Sequence, residues 1–522
     1  MTIEKNKSNN SKRRGGLLAA ASKVGSWTLL SRILGFVRDI FLARILGAGI
    51  LADAFFVAFK LPNFFRRMFA EGTLTVALVP VLSDEREQGE DAAHQYLNAL
   101  ATLLLIVLTL ATVLGILFMP WLLMVFAPGF MDEPERWDMS VSLARWMFPY
   151  LLLISLTAMA WGVLNTYKRF SLAAASPALL NLAIIFAAIV IAPRFDNPAY
   201  GMALGVLLGG LLQLGIQWPA LKQIGWRPHL SFRFRHPAIG QTLKLFGPAL
   251  LAVAAVQINI LVGTILATLL EPGAVSYLYY SDRIVQLPLG LFGIAMSTAL
   301  LPTLSAHLAK GDTQHAKQDL TSGLVWLSWI TLPAVGGLLL LAEPIIGTLF
   351  EHGAFTHEAT VATAHTLQAY AIGLIAFCWV KLLATACYAE KDAKAPMRFA
   401  AISVGVNIVL AIILMQFFSY VGLALATSAA AIVNAGMLWR HLAKRHGPLL
   451  NTAELLRIGK AIIGCLLMMI ALNTLTMLWP FPDQGKWLQA FWMLTSVITG
   501  AAVFFAFTML AGEYRHLFGK HR

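Results

Sequence analysis

Residues 31–72, SRILGFVRDIFLARILGAGILADAFFVAFKLPNFFRRMFAEG, read as two membrane-crossing helices, yet they carry Arg32, Arg38, Asp39, Arg44, Asp53, Lys60, Arg66, Arg67 and Glu71. A charge held in hydrocarbon costs about 2.5–3.5 kcal/mol on insertion scales, so such side chains face a wet cavity or a partner. On an ideal helix Asp53, Lys60, Asn63, Arg67 and Glu71 fall within an arc of roughly 80°, a polar stripe about 27 Å long, while Arg66 points away from it. Pro62 is expected to bend this helix where a cavity lets the freed backbone groups be satisfied. Two readings compete: a water-filled, net-positive chamber, and a set of interhelical salt bridges. Six basic residues against three acidic ones favour the chamber, because pairing cannot neutralise the stretch. Arginine dominates, and its rigid fork of donors suits phosphate oxygens and stays charged when desolvated. A diphosphate-bearing ligand would fit Arg32, Arg38, Arg66, Arg67 and Arg283. Asp39, Asp53 and Glu71 are expected to pair with these arginines in one state and release them in another, or to act as structural counter-ions, Asp53 above all.

A second charged spot, SYLYYSDRIVQLPLG, holds Asp282 and Arg283 with Tyr277, Tyr279 and Tyr280 nearby. Asp282 and Arg283 are adjacent and so point about 100° apart, which argues against a simple mutual salt bridge. Lys244 sits near a helix end, where it snorkels. Lys381 lies deeper, facing either a cavity or a partner in the bundle. Asn165, Asn181, Asn259, Asn407 and Asn434 read as interhelical hydrogen-bond partners. No Walker A loop appears, and the histidines sit mostly in loops without ligand spacing. Cys378, Cys387 and Cys465 show neither metal-ligand spacing nor an obvious pair, so neither a disulfide framework nor a zinc site is expected. The sequence therefore carries no enzyme signature, no cofactor motif and no metal site.

What must position these groups is a bundle of helices. The chain of 522 residues is 58% hydrophobic and only 12% charged, with a mean hydropathy of +0.72. A soluble domain is about a quarter charged, so this is an all-α polytopic membrane protein. The net charge of +13 reflects basic inside loops rather than a nucleic-acid partner. Fourteen apolar segments are expected to span: 19–46, 52–82, 93–120, 139–166, 172–193, 199–221, 241–269, 275–308, 318–342, 360–388, 397–417, 420–440, 455–478 and 488–511. With the N-terminus inside, the inside loops and tails hold roughly 23 Lys and Arg against about three outside, so both termini are expected to be cytoplasmic. The outside segment near 343–359 carries Glu343, Glu351 and Glu358 with no Lys or Arg, and its PIIGTLFEHGAF run is expected to form a short interfacial helix.

An internal repeat is visible at a spacing of 221. Gly201-Met-Ala-Leu matches Gly422-Leu-Ala-Leu; Gln213, Gly215 and Trp218 match Asn434, Gly436 and Trp439; Tyr167 matches Tyr388. In nearly the same register LVPVLS at 78–83 matches LLPTLS at 300–305. The expected organisation is a basic cytoplasmic tail (1–18), a first lobe of six helices (19–225), a second of six (226–445) and a terminal helix pair (446–522). Six is even, so the lobes form a parallel repeat suited to alternating access, in which two lobes rock around a shared site.

SRILGFVRD, DAFFVAFKLPNFFRRMFAEG and ALVPVLS closely resemble the start of the MurJ (MviN) family, within the multidrug/oligosaccharidyl-lipid/polysaccharide exporter superfamily. YYSDRIVQLPLGLFGIAMSTALLPTLS resembles the family's eighth helix, and the likeness runs along almost the whole chain. The resemblance implies a V-shaped pair of lobes around a cationic cavity, with the last two helices forming a groove for a polyprenyl tail. It implies essential cavity arginines at Arg32, Arg38, Arg66, Arg67 and Arg283 and an acidic residue at Asp53 opening the second helix; from the residues themselves, Asp39, Lys60, Glu71 and Asp282 are expected to complete the charge network around them. The implied substrate is lipid II, undecaprenyl-diphosphate carrying a disaccharide-pentapeptide, moved from the inner to the outer leaflet of the bacterial cytoplasmic membrane. Membrane lipids and peptidoglycan-synthesis proteins are the implied partners. Some relatives bind sodium through an acid in the seventh helix; here KLFGPALLAVAAVQINILVGTILATLL has only the amides of Gln257 and Asn259, and membrane-potential coupling is the alternative. The competing functions are a flippase for another undecaprenyl-diphosphate-linked oligosaccharide and a drug/cation antiporter. The latter would line its cavity with carboxylates and aromatics. A scaffold or lipid-processing enzyme explains neither the stripe nor the absence of clustered catalytic groups.

Overall fold

In hydrocarbon every backbone polar group must be satisfied within its own segment, so an apolar chain of this length resolves into helices. The computed structural model describes residues 25–69, 73–169, 171–482 and 485–514; the expected tail at 1–18, Glu71 and the last eight residues lie outside these. Among the described residues there are helices and no strands. Each expected span coincides with a helix or a pair of helices, while length and apolarity alone single out nine spans, or ten when one bent pair is counted as one. Part of the shortfall from fourteen has physical causes; the rest is the seventh expected span, of which only Gln257–Thr268 is singled out, as a shorter apolar helix. The first two expected spans, α1 (25–46) and α2 (Ile50–Phe69) with α3 (Thr73–Gln88), carry too many charges to qualify. The eleventh and twelfth run together in α18 (Lys394–His446), where Ser419 alone leaves helical geometry (φ 47°, ψ −130°) at the expected turn. The helix α2 continues through Pro62.

The chain packs as two compact units that divide between Pro272 and Gly273. The division by packing therefore falls later than the repeat boundary near 225, because α11 (Pro237–Thr268), the first helix of the second repeat, packs on helices of the first unit. Its Thr242 hydroxyl lies 2.7 Å from the Tyr96 hydroxyl on α4 (Glu90–Leu117), and Lys60 Nζ donates to its Thr264 Oγ1 at 3.2 Å. The first unit also holds α6 (Pro134–Met147), α7 (Tyr150–Thr166), α8 (Ser171–Phe186) and α9 (Pro198–Gly215).

The second unit holds α12 (Ala274–Pro288), α13 (Ala295–Ala309), α14 (Thr313–Leu340), α15 (Ala342–Phe350), α16 (His357–Ile372) and α17 (Leu374–Ala389), then α18, α19 (Thr452–Leu478) and α20 (Lys486–Leu510). Of the run expected to form a short interfacial helix, the part up to Phe350 is helical, as α15. The pair α16–α17 bends by 41° at Gly373. The terminal helices pack on α14: the Cys465 thiol donates to the Leu332 carbonyl at 3.2 Å, and a Cβ on Gly336 would lie 2.8 Å from that sulfur. Asn451 and Glu454 close a reciprocal capping box at the start of α19, satisfying two of its orphan N–H groups.

The repeat is legible in the packing of each unit. A Cβ on Gly201 would lie 2.5 Å from Ala192 Cα, and one on Gly422 2.3 Å from the Leu414 carbonyl oxygen. Each glycine opens the sixth helix of its repeat against the end of the fifth, where nothing larger fits.

Candidate functional site

The first unit gathers most of the predicted charges. Arg38 on α1 is 9% exposed and Asp39 1%. The Arg38 guanidinium donates through Nε (3.0 Å) and Nη2 (2.7 Å) to Asp39 Oδ1, and through Nη1 to Asn181 Oδ1 on α8 (3.0 Å). Asn181 Nδ2 in turn donates to the Ser31 carbonyl at 3.0 Å, so one amide ties both turns of α1 to α8. The Arg38–Asp39 contact shows that sequence neighbours on a helix do pair when the cation is long enough to fold back across the 100° between them. The second unit carries the adjacent residues Asp282 and Arg283 on α12. Asp282 accepts from Gln286 Nε2 one turn on, and Arg283 lies 4.7 Å over the Tyr279 ring with Nη2 3.3 Å from its hydroxyl.

Along α2, Asp53 is wholly buried and Lys60 is half-buried against Thr264. Arg66 does not point away from the stripe as an ideal wheel places it. Helical side chains lean toward the N-terminus, and its Nε reaches Asn63 Oδ1 at 3.1 Å. Arg32, Arg44 and Arg67 are exposed. Glu71 lies outside the described residues.

Asp53 is held by a residue the sequence did not nominate. Arg136 Nη2 donates to Asp53 Oδ2 at 2.6 Å with both side chains at most 1% exposed, and Nη1 donates to the Leu270 carbonyl at 3.2 Å. The guanidinium also stacks 3.9 Å over Phe130 and lies 3.7 Å from Glu133. Next to it, a Cβ on Gly129 would come within 2.2 Å of the Thr268 carbonyl oxygen, so segment 127–136 packs against the start of α2 and the end of α11. The sequence signal was there: Arg136 is the single basic residue in segment 121–138, which otherwise carries Asp132, Glu133, Glu135 and Asp138.

Outside the spans, Asp312 and Asp392 are held below the ordinary carboxylate value, each first by a backbone N–H (of His315 and of Ala395) and then by histidine or arginine partners. Among the described residues no group of three His, Cys, Asp or Glu side chains is arranged to hold a metal ion. The site presents fixed cations and a few neutral donors, groups suited to binding an anion.

Residues 42–497 match the family described as "Lipid II flippase MurJ". The chain is 34% identical over 510 residues to the "Probable lipid II flippase MurJ" of Haemophilus influenzae, covering 94% of this chain and 99% of that one. It is 37% identical over 437 residues to the "Lipid II flippase MurJ" of Burkholderia cenocepacia, covering 82% and 84%. Among solved structures, "Lipid II flippase MurJ, inward closed conformation" superposes with a TM-score of 0.79 at 27% identity over 95% of this chain and 99% of that one. An inward-facing multidrug transporter of the MATE family superposes at 0.65 with 14% identity, covering 81% and 97%, and shares the fold. Sequence and fold agree over nearly the full length: the chain is a membrane transporter protein of the MurJ lipid II flippase family.

Proposed function

We propose that this protein translocates lipid II across the bacterial cytoplasmic membrane, from inner to outer leaflet, by alternating access and without covalent chemistry. The match to the MurJ family over residues 42–497 carries this reading. Arg32, Arg38, Arg66 and Arg67 of the first unit and Arg283 of the second supply the cations for the diphosphate, and Lys60 adds a compact charge. Arg38 is the best prepared of them, because Asp39 and Asn181 hold its fork in one orientation and pre-ordering lowers the cost of binding. Asp39, Asp53, Glu71 and Asp282 form the counter-charge network. The loop-charge asymmetry supports cytoplasmic termini. The polyprenyl tail is assigned to the terminal helix pair α19–α20, whose Ile470, Phe491 and Leu494 are exposed, and wall-synthesis proteins are its expected neighbours.

The test is depletion in a strain with no substitute flippase. Lipid II accumulates on the inner leaflet and the cells lyse; normal outer-leaflet lipid II in such cells refutes the reading. Arg283→Ala inserts normally but fails to complement.

A further inference from the structure

The inner end of the second unit contains a cluster the transport reading does not use. The loop leaving α17 turns through Lys391 in left-handed geometry (φ 62°), and the Asp392 N–H closes it onto the Cys387 carbonyl at 2.9 Å. Two carboxylates of this loop then reach the far end of α18, some fifty residues on. Glu390 Oε1 is 2.6 Å from His446 Nε2, and Glu390 Oε2 accepts from Arg445 Nη1 at 2.9 Å. Asp392 Oδ2 is 3.1 Å from His441 Nε2 and 2.7 Å from Arg445 Nη2, while its Oδ1 caps α18 by accepting from the Ala395 N–H. From α14, Lys317 Nζ donates to the His446 carbonyl at 2.9 Å. The other charged groups on these segments are Lys391, Lys394, Arg398, Arg440 and Lys444, all exposed; Arg398 stacks over Phe399, whose ring packs edge-on against His441.

The first unit makes the same join with different chemistry. Its corresponding loop turns through Lys168 (φ 58°), and Arg169 Nη1 donates to Gln223 Oε1 at 2.5 Å. At the repeat spacing of 221, Arg169 stands where Glu390 does. No group in that hydrogen bond changes charge near neutral pH. In the second unit two of the three cationic partners are imidazoles, the side chains whose charge changes between about pH 5 and 8. With both charged, three cations face two carboxylates; with both neutral, Arg445 alone serves the two. The α13–α14 connection repeats the chemistry, with His315 Nδ1 2.7 Å from Asp312 and His307 Nε2 3.4 Å from Asp319.

We propose that the 389–393 loop of the second unit is a proton-responsive clasp: charged His441 and His446 lock it to the end of α18, and their neutral forms leave it loosely held. On the face that loop charge assigns to the cytoplasm, falling pH tightens the inner ends of α17 and α18, and rising pH frees them. A neutral imidazole still donates one hydrogen bond, so the clasp weakens rather than opens. Partly exposed ion pairs each change an equilibrium by at most a few-fold, so two together give about fivefold.

The test is hydrogen exchange of the full-length protein in lipid nanodiscs, following residues 388–396 at pH 6.0 and 8.5 and correcting for the intrinsic rate. Protection of this loop is expected to fall about fivefold at the higher pH. In His441→Gln/His446→Gln it is low and flat with pH; Arg445→Gln lowers protection at both pH values but keeps the fall. A pH-independent loop in the native chain, or an unchanged fall in the double variant, overturns the proposal. Should the double variant fail to insert, His446→Gln alone is expected to halve the effect, and an undiminished fall there overturns it equally. Exchange reads the loop and not lipid II, so either outcome leaves the transport reading where it stands.

Discussion

The buried pair of Asp53 and Arg136 gives the sharpest quantitative test of how the first unit is held together. Both side chains are at most 1% exposed, and the pair joins α2, α6 and, through the Leu270 carbonyl, the end of α11. Removing one partner of such a pair leaves an uncompensated buried charge and costs about 3–5 kcal/mol. Arg136→Met should sit at the upper end, because it also orphans the Leu270 carbonyl, adding about 1 kcal/mol. Asp53→Leu should fall in the same range. The double variant Asp53→Leu/Arg136→Met removes both charges together, and apolar replacement of a buried pair is near neutral or stabilising by about 1–4 kcal/mol. The double-mutant cycle should therefore show a coupling of at least about 3 kcal/mol, far outside additivity. The assay is reversible unfolding of the full-length protein in mixed micelles titrated with dodecyl sulfate, read by tryptophan fluorescence. Single variants that cost less than about 1 kcal/mol, or a double variant whose loss equals the sum of the singles, would refute the reasoning.

Gly201→Ala and Gly422→Ala each place a Cβ within 2.5 Å of backbone and should cost about 1–3 kcal/mol in the same assay; Gly215→Ala, with open space around it, is the control that should not. Arg38→Lys keeps the charge but cannot serve Asp39 and Asn181 together, so lipid II flipping in proteoliposomes should fall about tenfold while insertion is normal; undiminished flipping would show that the fork is dispensable. Asp392 is held below its ordinary 3.8 by the Ala395 N–H, then by His441 and Arg445. A carboxylate lowered on folding contributes stability that is present above its unfolded value and lost as pH falls through the folded one. Loop protection at 391–395 should accordingly survive acidification from pH 6 to about 4 and fail only below that; Asp392→Asn should abolish this acid transition.

Composition and pattern decided the architecture. An apolar chain with so few charges has nowhere to satisfy its backbone except in helices, so the segments appear near their expected positions, and the glycine at each repeat's sixth helix marks a real close approach. The family was equally legible, since SRILGFVRD and the following helix carry distinctive residues at local spacing. Tertiary structure alone decided which charge meets which. Asn181 reaches Arg38 across 143 residues and Arg136 reaches Asp53 across 83, separations that no helical periodicity spans. The wheel also misplaced Arg66, because a long side chain samples a full turn of helix. The seventh expected span, α11, packs with the first unit although its repeat register belongs to the second. Register records the chain's duplication, whereas packing answers to the surfaces that happen to complement one another.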